Sequence, residues 1–556
     1  MRRRTALTLI LLVLVILSSS IASADSYIIS NSKNWHDIYL DVVYSKFVNT
    51  DVVYFENLLD SQVQTNSMEK SDSVTIIESE KNAVVKNYAS VLKNNGFTNV
   101  KVISYSDYTD LQEKLWSDMN FDGYVLLDPT FSHEAISFAP FMFKKNYAPL
   151  FLTKENKDSV LSFAKDSKLI LAGHFPVRMI DDISASKEYT SWSFDNANAI
   201  TRKLFTDYDY SWGTMTKDNL IDMSSIKSGN PIFFYRGYLD EAAQLVKDSN
   251  IDNYEVIGAD MADVSKNIES QAGRNVHLIL KYAQTITNFK GLEGRLMNLK
   301  RVQVPVLVVN LELLRTVFYT DMNTLSIAIR NNGNVPTYFF SNIEFGDEVL
   351  SDEFLHQVLP GENITIPYIV NATGDTSQVF VSAAYGVERP LRHNLLSDTG
   401  LPVVVKNITP VRGVDESNVE LEKATFNDKE GYFYVYLNNP NDKDIFALAE
   451  VIIDDDNVLS SKKVLIPAHG SMKVRVDASY VPINSVIDNS YNIHVYFGKD
   501  DLLKKNIFEN IFIEEESSNL WIYIIVVIIA TLIVITIISL IIGKKRKKEK
   551  EERGSP

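Results

Sequence analysis

The sequence predicts an α/β region followed by an all-β region, and three observations carry that division. Short apolar, β-rich runs alternate with helix-length amphipathic segments from Asp25 to about Lys290, and from Val302 onward the apolar period shortens to two. Part of the second region then recurs about a hundred residues later. Alternating strands and helices give mostly parallel sheets, whereas closely spaced alternating strands give antiparallel ones.

The strands of the first region are read, in order, at Tyr27-Ile28-Ile29, Val52-Val53-Tyr54-Phe55, Val74-Thr75-Ile76-Ile77, Val100 to Ile103, Tyr124 to Leu127, Leu150 to Leu152, Leu169 to Ala172, Ile232 to Phe234, Val256-Ile257 and Leu278 to Leu280. Roughly ten strands exceed one small sheet and direct attention to repeats. One unit runs from Tyr124 to Gly173: strand, polar turn, helix (His133 to Lys145), strand, helix (Lys157 to Lys165), and a strand ending in Gly173. A shorter version spans Asn230 to Asp260, with helix Leu239 to Lys247 and strand Tyr254 to Gly258, and Tyr27 to Ile77 is read as a third.

In the second region Leu325 to Arg330 alternates before the turn Asn331-Asn332-Gly333-Asn334, and Ile364 to Val370 follows Pro360-Gly361-Glu362. The layout returns as Tyr432 to Leu437, the turn Asn438-Asn439-Pro440-Asn441, Ala447 to Ile453, Ile466-Pro467-Ala468-His469-Gly470 and Val474-Arg475-Val476. Two copies of one β-sandwich are the economical reading.

The ends predict topology. Arg2, Arg3 and Arg4, the apolar Leu7 to Leu17 and the small Ala22-Ser23-Ala24 read as a cleaved secretory signal. Leu520 to Ile542 is an uninterrupted apolar run, about 34 Å long as a helix against a hydrocarbon core of roughly 30 Å. Lys544 to Lys548 follow at once, which keeps that side in the cytoplasm, with Trp521 and Tyr523 at the other interface. The expected plan is signal peptide 1–24, α/β head 25–298, sandwiches 299–410 and 411–516, transmembrane helix 519–542 and basic cytoplasmic tail 543–556. The expected localisation is the cell membrane, single-pass, with the N-terminus outside.

Composition narrows the class. The chain has no cysteine, so an extracellular region of this size points to a prokaryotic surface rather than a disulfide-stapled animal one, and the absence of a sortase-type motif favours an archaeal envelope. A formal charge of −16 repels nucleic acid at long range, so nucleic acid is not an expected partner. The expected partners are a membrane, through the single span, and an envelope polymer or surface-layer proteins. Sequons at Asn363, Asn371 and Asn407 mark candidate glycosylation sites, all in the first sandwich.

No motif names a reaction, a metal or a cofactor. The eight histidines are scattered, His133-Glu134 lacks the second histidine of a metalloprotease helix, and there is neither a phosphate-cradling loop with lysine nor a Gly-x-Ser-x-Gly elbow. The candidate ligand-binding residues stand where open parallel sheets take ligands, at the carboxyl ends of strands: Asp128, Thr130 and His133 after one strand, Thr153 and Lys154 after another, His174 and Arg178 after a third. Asp128, His133 and His174 have the side chains to ligate a metal or share a proton. The plainer alternative is that they cap helices and fill turns, as Asp128-Pro129-Thr130 before a helix does.

Gly123-Tyr124-Val125-Leu126-Leu127, Phe131-Ser132-His133-Glu134-Ala135 to Ala139-Pro140, Ala148-Pro149-Leu150-Phe151-Leu152-Thr153 and Leu169-Ile170-Leu171-Ala172-Gly173 resemble a module of the cell wall-binding repeat 2 family. Glu188-Tyr189-Thr190 with Ala197-Asn198-Ala199-Ile200 is similar to that family's later helix start. The departures are His133-Glu134 in place of Asp-Ala and Ala172-Gly173 in place of Gly-Gly. The resemblance implies three α/β modules around a pseudo-threefold axis and the holding of an anionic wall polymer, for which an acidic head is a poor setting. The second region resembles the immunoglobulin-like modules of archaeal surface proteins, which implies a stalk. Two functional readings follow. One is a non-catalytic surface protein whose α/β head binds an envelope polymer, glycan or surface-layer partner. The other is a membrane-anchored ectoenzyme acting on an envelope polymer, with His133, Glu134 and His174 as acid/base or metal groups.

Overall fold

The computed structural model describes residues 26–515, apart from 191, 193–194, 218–219, 238, 259–260, 273–275, 282–300, 353–354, 372, 374–375, 388–400, 409, 413–414, 455–456, 481–488, 500–502 and 504. The chain divides into two compact units, Met1–Val308 and Val309–Pro556. The first is α/β with parallel sheets, and the second is all-β.

The first module of the α/β unit runs β1 (Ser26–Asn31), α1 (Trp35–Phe47), β2 (Asp51–Tyr54), α2 (Leu58–Ser67), β3 (Ser73–Ser79), α3 (Tyr88–Asn94), β4 (Asn99–Tyr105) and α4 (Tyr108–Trp116). The second runs β5 (Gly123–Leu127), α5 (His133–Lys145), β6 (Tyr147–Phe151), α6 (Lys157–Phe163), β7 (Lys168–Gly173), α7 (Val177–Asp181), β8 (Lys187–Thr190) and α8 (Asp195–Asp207). The third runs β9 (Trp212–Lys217), β10 (Leu220–Asp222), α9 (Met223–Ser228), β11 (Ile232–Tyr235), α10 (Leu239–Asp248), β12 (Asn253–Ile257), α11 (Ala262–Gln271) and β13 (His277–Lys281). A short β14 (Arg301–Gln303) pairs antiparallel with β10.

Each module forms one four-stranded parallel sheet, and the strand order is the same in all three: β2-β1-β3-β4, β6-β5-β7-β8 and β11-β9-β12-β13. The helices that follow the first strands, α1, α5 and α9, touch one another pairwise. Their apolar faces, among them Ile38, Tyr39, Val42, Ile136, Ala139, Met223 and Ile226, belong to one core that runs through all three modules.

One edge strand of the second module, β6, and one of the third, β11, are covered by the preceding module. The Gln112 amide on α4 accepts from the Phe151 backbone N–H at 2.8 Å and donates to its carbonyl at 3.4 Å, and Asn198 on α8 does the same for Phe234 at 3.1 Å each way. Trp116 donates to the Pro149 carbonyl and Thr201 to the Ile232 carbonyl. A side-chain amide thereby satisfies the open backbone groups of β6 and of β11, which would otherwise template another strand.

The all-β unit contains one pattern twice. The first copy is β15 (Leu311–Tyr319), β16 (Thr324–Asn331), β17 (Thr337–Phe345), β18 (Glu348–Ser351), β19 (His356–Val358), β20 (Asn363–Ile369), β21 (Gln378–Gly386) and β22 (Leu401–Asn407), followed by β23 (Pro410–Val411). The second copy is β24 (Glu420–Asn427), β25 (Tyr432–Asn438), β26 (Ile445–Asp454), β27 (Asn457–Ser460), β28 (Val464–Ile466), β29 (Ser471–Asp477), β30 (Ser490–Gly498) and β31 (Lys505–Glu515). In each copy the first strand pairs with the second, the second with the sixth, the third with the fourth, fifth and seventh, and the seventh with the eighth, all antiparallel. Even the bulge in the first strand repeats, between Leu313 and Arg315 and between Leu421 and Lys423.

The asparagine-rich turns explain themselves in this frame. Asn331 and Asn439 are fully buried; Asn331 donates to the Val335 and Val358 carbonyls, and Asn439 to the Lys443 and Ile466 carbonyls. Each also accepts from a backbone N–H two residues on, Gly333 or Asn441, so one amide ties the turn to a later strand end.

One expectation is corrected. The signal at 1–24, the span at 519–542 and the tail at 543–556 lie outside the described residues. Among the described residues no helix is long and apolar enough to cross a membrane, so the single-pass membrane localisation is not supported. The physical reason is length: Trp35–Phe47, His133–Lys145 and Asp195–Asp207 each have 13 residues, about 20 Å of helix against a core of roughly 30 Å.

Candidate functional site

The candidate residues of the second module gather at the carboxyl edge of its sheet. Asp128 follows β5 and is buried; one of its oxygens accepts from the Thr130 N–H at 2.8 Å and the other from the His174 N–H at 2.9 Å. The carboxylate therefore laces the end of β5 to the end of β7. Gly173 permits this contact, with φ +135° and a position where an added Cβ would fall 2.2 Å from the Asp128 Cβ. Burial raises the Asp128 carboxyl above its ordinary range, against the opposing hydrogen bonds from Thr130 and His174.

His133 and Glu134 open α5, and both are buried. His174 Nε2 lies 3.5 Å from Glu134 Oε1. The His174 ring stacks on Trp192 with centroids 4.6 Å apart and meets Phe131 edge-on, and the His133 ring lies 4.3 Å from Phe234. Burial alone would raise the Glu134 carboxyl, but His174 and then His133 hold it below the usual range. Asp128, His133, Glu134 and His174 are thus brought together, and each is over nine-tenths buried.

The remaining candidates sit nearer the rim. The Thr153 N–H donates to Asn156 Oδ1 at 2.7 Å, Lys154 is exposed, and Arg178 is half-buried on α7. In the all-β unit Asn371 is exposed, and Asn363 opens β20 with its oxygen accepting from Lys463. Asn407 ends β22.

His36 was missed by the sequence reading. It follows the helix cap Asn34 of the first module, donates from Nε2 to the Pro129 carbonyl at 2.7 Å, and packs against Tyr108 and Phe151. Burial lowers its pKa to about 4, against the Pro129 bond. The signal was available: His36 occupies the same kind of position as His133, at the start of the helix after a module's first strand.

A second cluster lies in the all-β unit. His356 Nε2 is 3.5 Å from Asp352 Oδ1, and His356 Nδ1 is 3.3 Å from Glu450 Oε2 across the two β modules. Tyr368 donates to Asp352, and Ser460 donates to Glu450 at 3.0 Å. Burial opposes a charge on His356, yet Asp352 and Glu450 push its pKa up to about 10. The neighbouring His494, by contrast, is lowered to about 4 by burial. Asp352, His356, Tyr368 and His494 border a cleft of about 760 Å³.

No protein-family model and no curated protein matches the chain. Among solved structures it is similar to Cwp8 from Clostridium difficile, at 14% identity over 45% of this chain and 47% of that one, with a TM-score of 0.37. It is also similar to part of a 1.5-MDa bacterial ice-binding adhesin (13% identity, 38% and 65% covered, TM-score 0.14) and to the YadV chaperone (13%, 36% and 98% covered, TM-score 0.13). Structural neighbours therefore include a cell wall protein and a surface adhesin, and the chain spans about half of the first. At these TM-scores the likenesses carry no functional argument.

Proposed function

We propose that this is a non-catalytic surface protein whose α/β unit binds an envelope polymer, glycan or surface-layer partner, with the all-β unit, read as two immunoglobulin-like sandwiches, as a structural extension. One observation carries the reading: the α/β unit is a single module built three times, with the same strand order and a shared core. Repeated modules present repeated loops at the carboxyl ends of their strands, and a polymer with a repeating unit gains avidity from meeting several of them at once. The burial of His133, Glu134 and His174 among aromatic rings supports a role in holding loops rather than in acid/base chemistry on a substrate.

The test is co-sedimentation of the full chain with isolated envelopes of the source organism at moderate salt. Retention that is lost when periodate has oxidised the envelope glycans supports glycan binding, and loss on protease treatment points to a surface-layer protein. A chain that stays in the supernatant with untreated envelopes defeats the reading.

A further inference from the structure

The second β module carries an outward face of alternating tyrosines flanked by cations. Tyr432, Tyr434 and Tyr436 alternate along β25 with the buried Phe433, Val435 and Leu437. The register sets Lys423 of β24 opposite Tyr436 on one side, and Lys473 and Arg475 of β29 opposite Tyr436 and Tyr434 on the other. Lys473 Nζ lies 3.6 Å from the Tyr434 ring centroid and 5.7 Å from that of Tyr436, Lys423 Nζ lies 4.8 Å from Tyr436, and Arg475 Cζ lies 3.4 Å from Tyr432. All three cations are exposed, and the tyrosines are half-buried. Acids flank the row: Glu420 accepts from Asn438 at one end, Asp477 pairs with Tyr432 at the other, Glu430 accepts from the middle tyrosine Tyr434, and the exposed Glu514 of β31 pairs with Thr425 beyond it. Three exposed cations are nonetheless held on aromatic rings of one sheet face in a chain whose formal charge is −16.

A cation resting on an aromatic ring has given up side-chain freedom before any ligand arrives, which lowers the cost of using it for binding. Arg475 adds a planar fork that suits a carboxylate. Strand geometry spaces Lys473 and Arg475 by about 7 Å along β29 and sets Lys423 about 10 Å away across the sheet, so one extended polyanion meets all three. The surroundings are hydroxyls and amides, from Tyr436, Asn427, Asn438 and Ser471, in place of an apolar recess for peptide side chains.

The geometry points to this face as a docking surface for an acidic polysaccharide, whose carboxylates meet Lys423, Lys473 and Arg475. It is a separate site from the α/β unit and stands without the reading given for that unit.

The experiment uses the full chain in affinity electrophoresis with polygalacturonate, at about 50 mM salt where exposed charges are weakly screened. Neutral dextran and polyglutamate are the comparison polymers. Retardation by polygalacturonate, none by dextran and little by polyglutamate is expected. The double variant K473Q/R475Q should weaken polygalacturonate binding about tenfold or more, K423Q alone about threefold, and R202Q/K203Q, which removes two exposed cations from α8, should leave it unchanged. Retention of the melting transition in K423Q and K473Q/R475Q excludes unfolding as the cause. The inference is overturned if wild-type chain ignores polygalacturonate, if K473Q/R475Q binds as well as wild type, or if polyglutamate binds equally, which makes the occupant an acidic peptide. Envelope sedimentation is scored apart, so either reading can fail alone.

Discussion

The two units each bury histidines with carboxylates, and the group that sits between two opposite partners is the one whose pKa moves toward the charged form. In the α/β unit Glu134 faces His174 and His133, which pull its carboxyl below the usual range, whereas Asp128 spends its oxygens on backbone N–H groups and burial pushes it up. In the all-β unit one imidazole, His356, faces Asp352 and Glu450, and it is the imidazole that is pushed up to about 10. Burial opposes ionisation in both places, so the group held toward its charged form is the one placed between two opposite partners, and neighbours without such a pair, Asp128 and His494, shift the other way. The clusters also differ in span. His174 and Glu134 hold loops within one module, whereas His356 and Glu450 belong to different β modules and tie them together.

The largest expected effect comes from breaking the bridge between β modules. Glu450→Ala removes one of the two carboxylates that face the buried His356 imidazolium, leaving Asp352, and strands the Ser460 hydroxyl; it should cost about 3 kcal/mol or more, read by urea unfolding with hydrogen exchange along Ile445–Asp454. Glu134→Ala, whose nearest imidazole is at the longer 3.5 Å, should cost less, about 1–3 kcal/mol. Equal losses would show that the shorter contact and the bridge between β modules add nothing to the cost.

Next comes pH. The folded pKa of His356 lies above its unfolded value, so its stabilising contribution is whole below about pH 6.5 and is lost as pH rises through about 10. The urea midpoint of the wild type should fall over that alkaline window relative to His356→Gln, which lacks the titrating ring. Parallel curves for the two proteins would remove His356 from the account.

Asp128→Asn should be milder. Its amide can accept one of the two N–H bonds now made to Thr130 and His174 but sets a donor against the other, for a loss of about 1–2 kcal/mol in thermal or urea unfolding. The smallest effect is expected at the exposed Lys114–Asp110 pair, where Lys114→Gln should change stability by at most about 1 kcal/mol. A larger loss there would blur the contrast between buried and exposed pairs on which the comparison rests.

Particular elements show why some of this was legible in advance. β5, β6 and β7 are nearly continuous apolar runs because both faces of a parallel strand are covered, and the helix His133–Lys145 was read with its observed bounds. β9 was not read, since Trp212-Gly213-Thr214-Met215-Thr216-Lys217 looks polar; Thr214 and Thr216 are nevertheless buried, and the third module begins there rather than at Asn230. Glu188-Tyr189-Thr190 was taken as leading into a helix and is an edge strand, β8, before α8. Of the candidate site, the residue types at strand ends were visible, but the use of both Asp128 oxygens on backbone N–H groups was not, because His174 lies 46 residues away.

The sequence by itself determined the change from α/β to all-β, the repeated units and the asparagine turns, because period, turn chemistry and local spacing are properties of neighbouring residues. Only the tertiary structure decided that α1, α5 and α9 share one core, that Gln112 and Asn198 close sheet edges in the following module, and that the pKa of His356 is pushed up while those of His36 and His494 are pushed down. Those outcomes depend on which distant groups come within a few ångströms and on how much water they exclude, and neither quantity is written in the local chain.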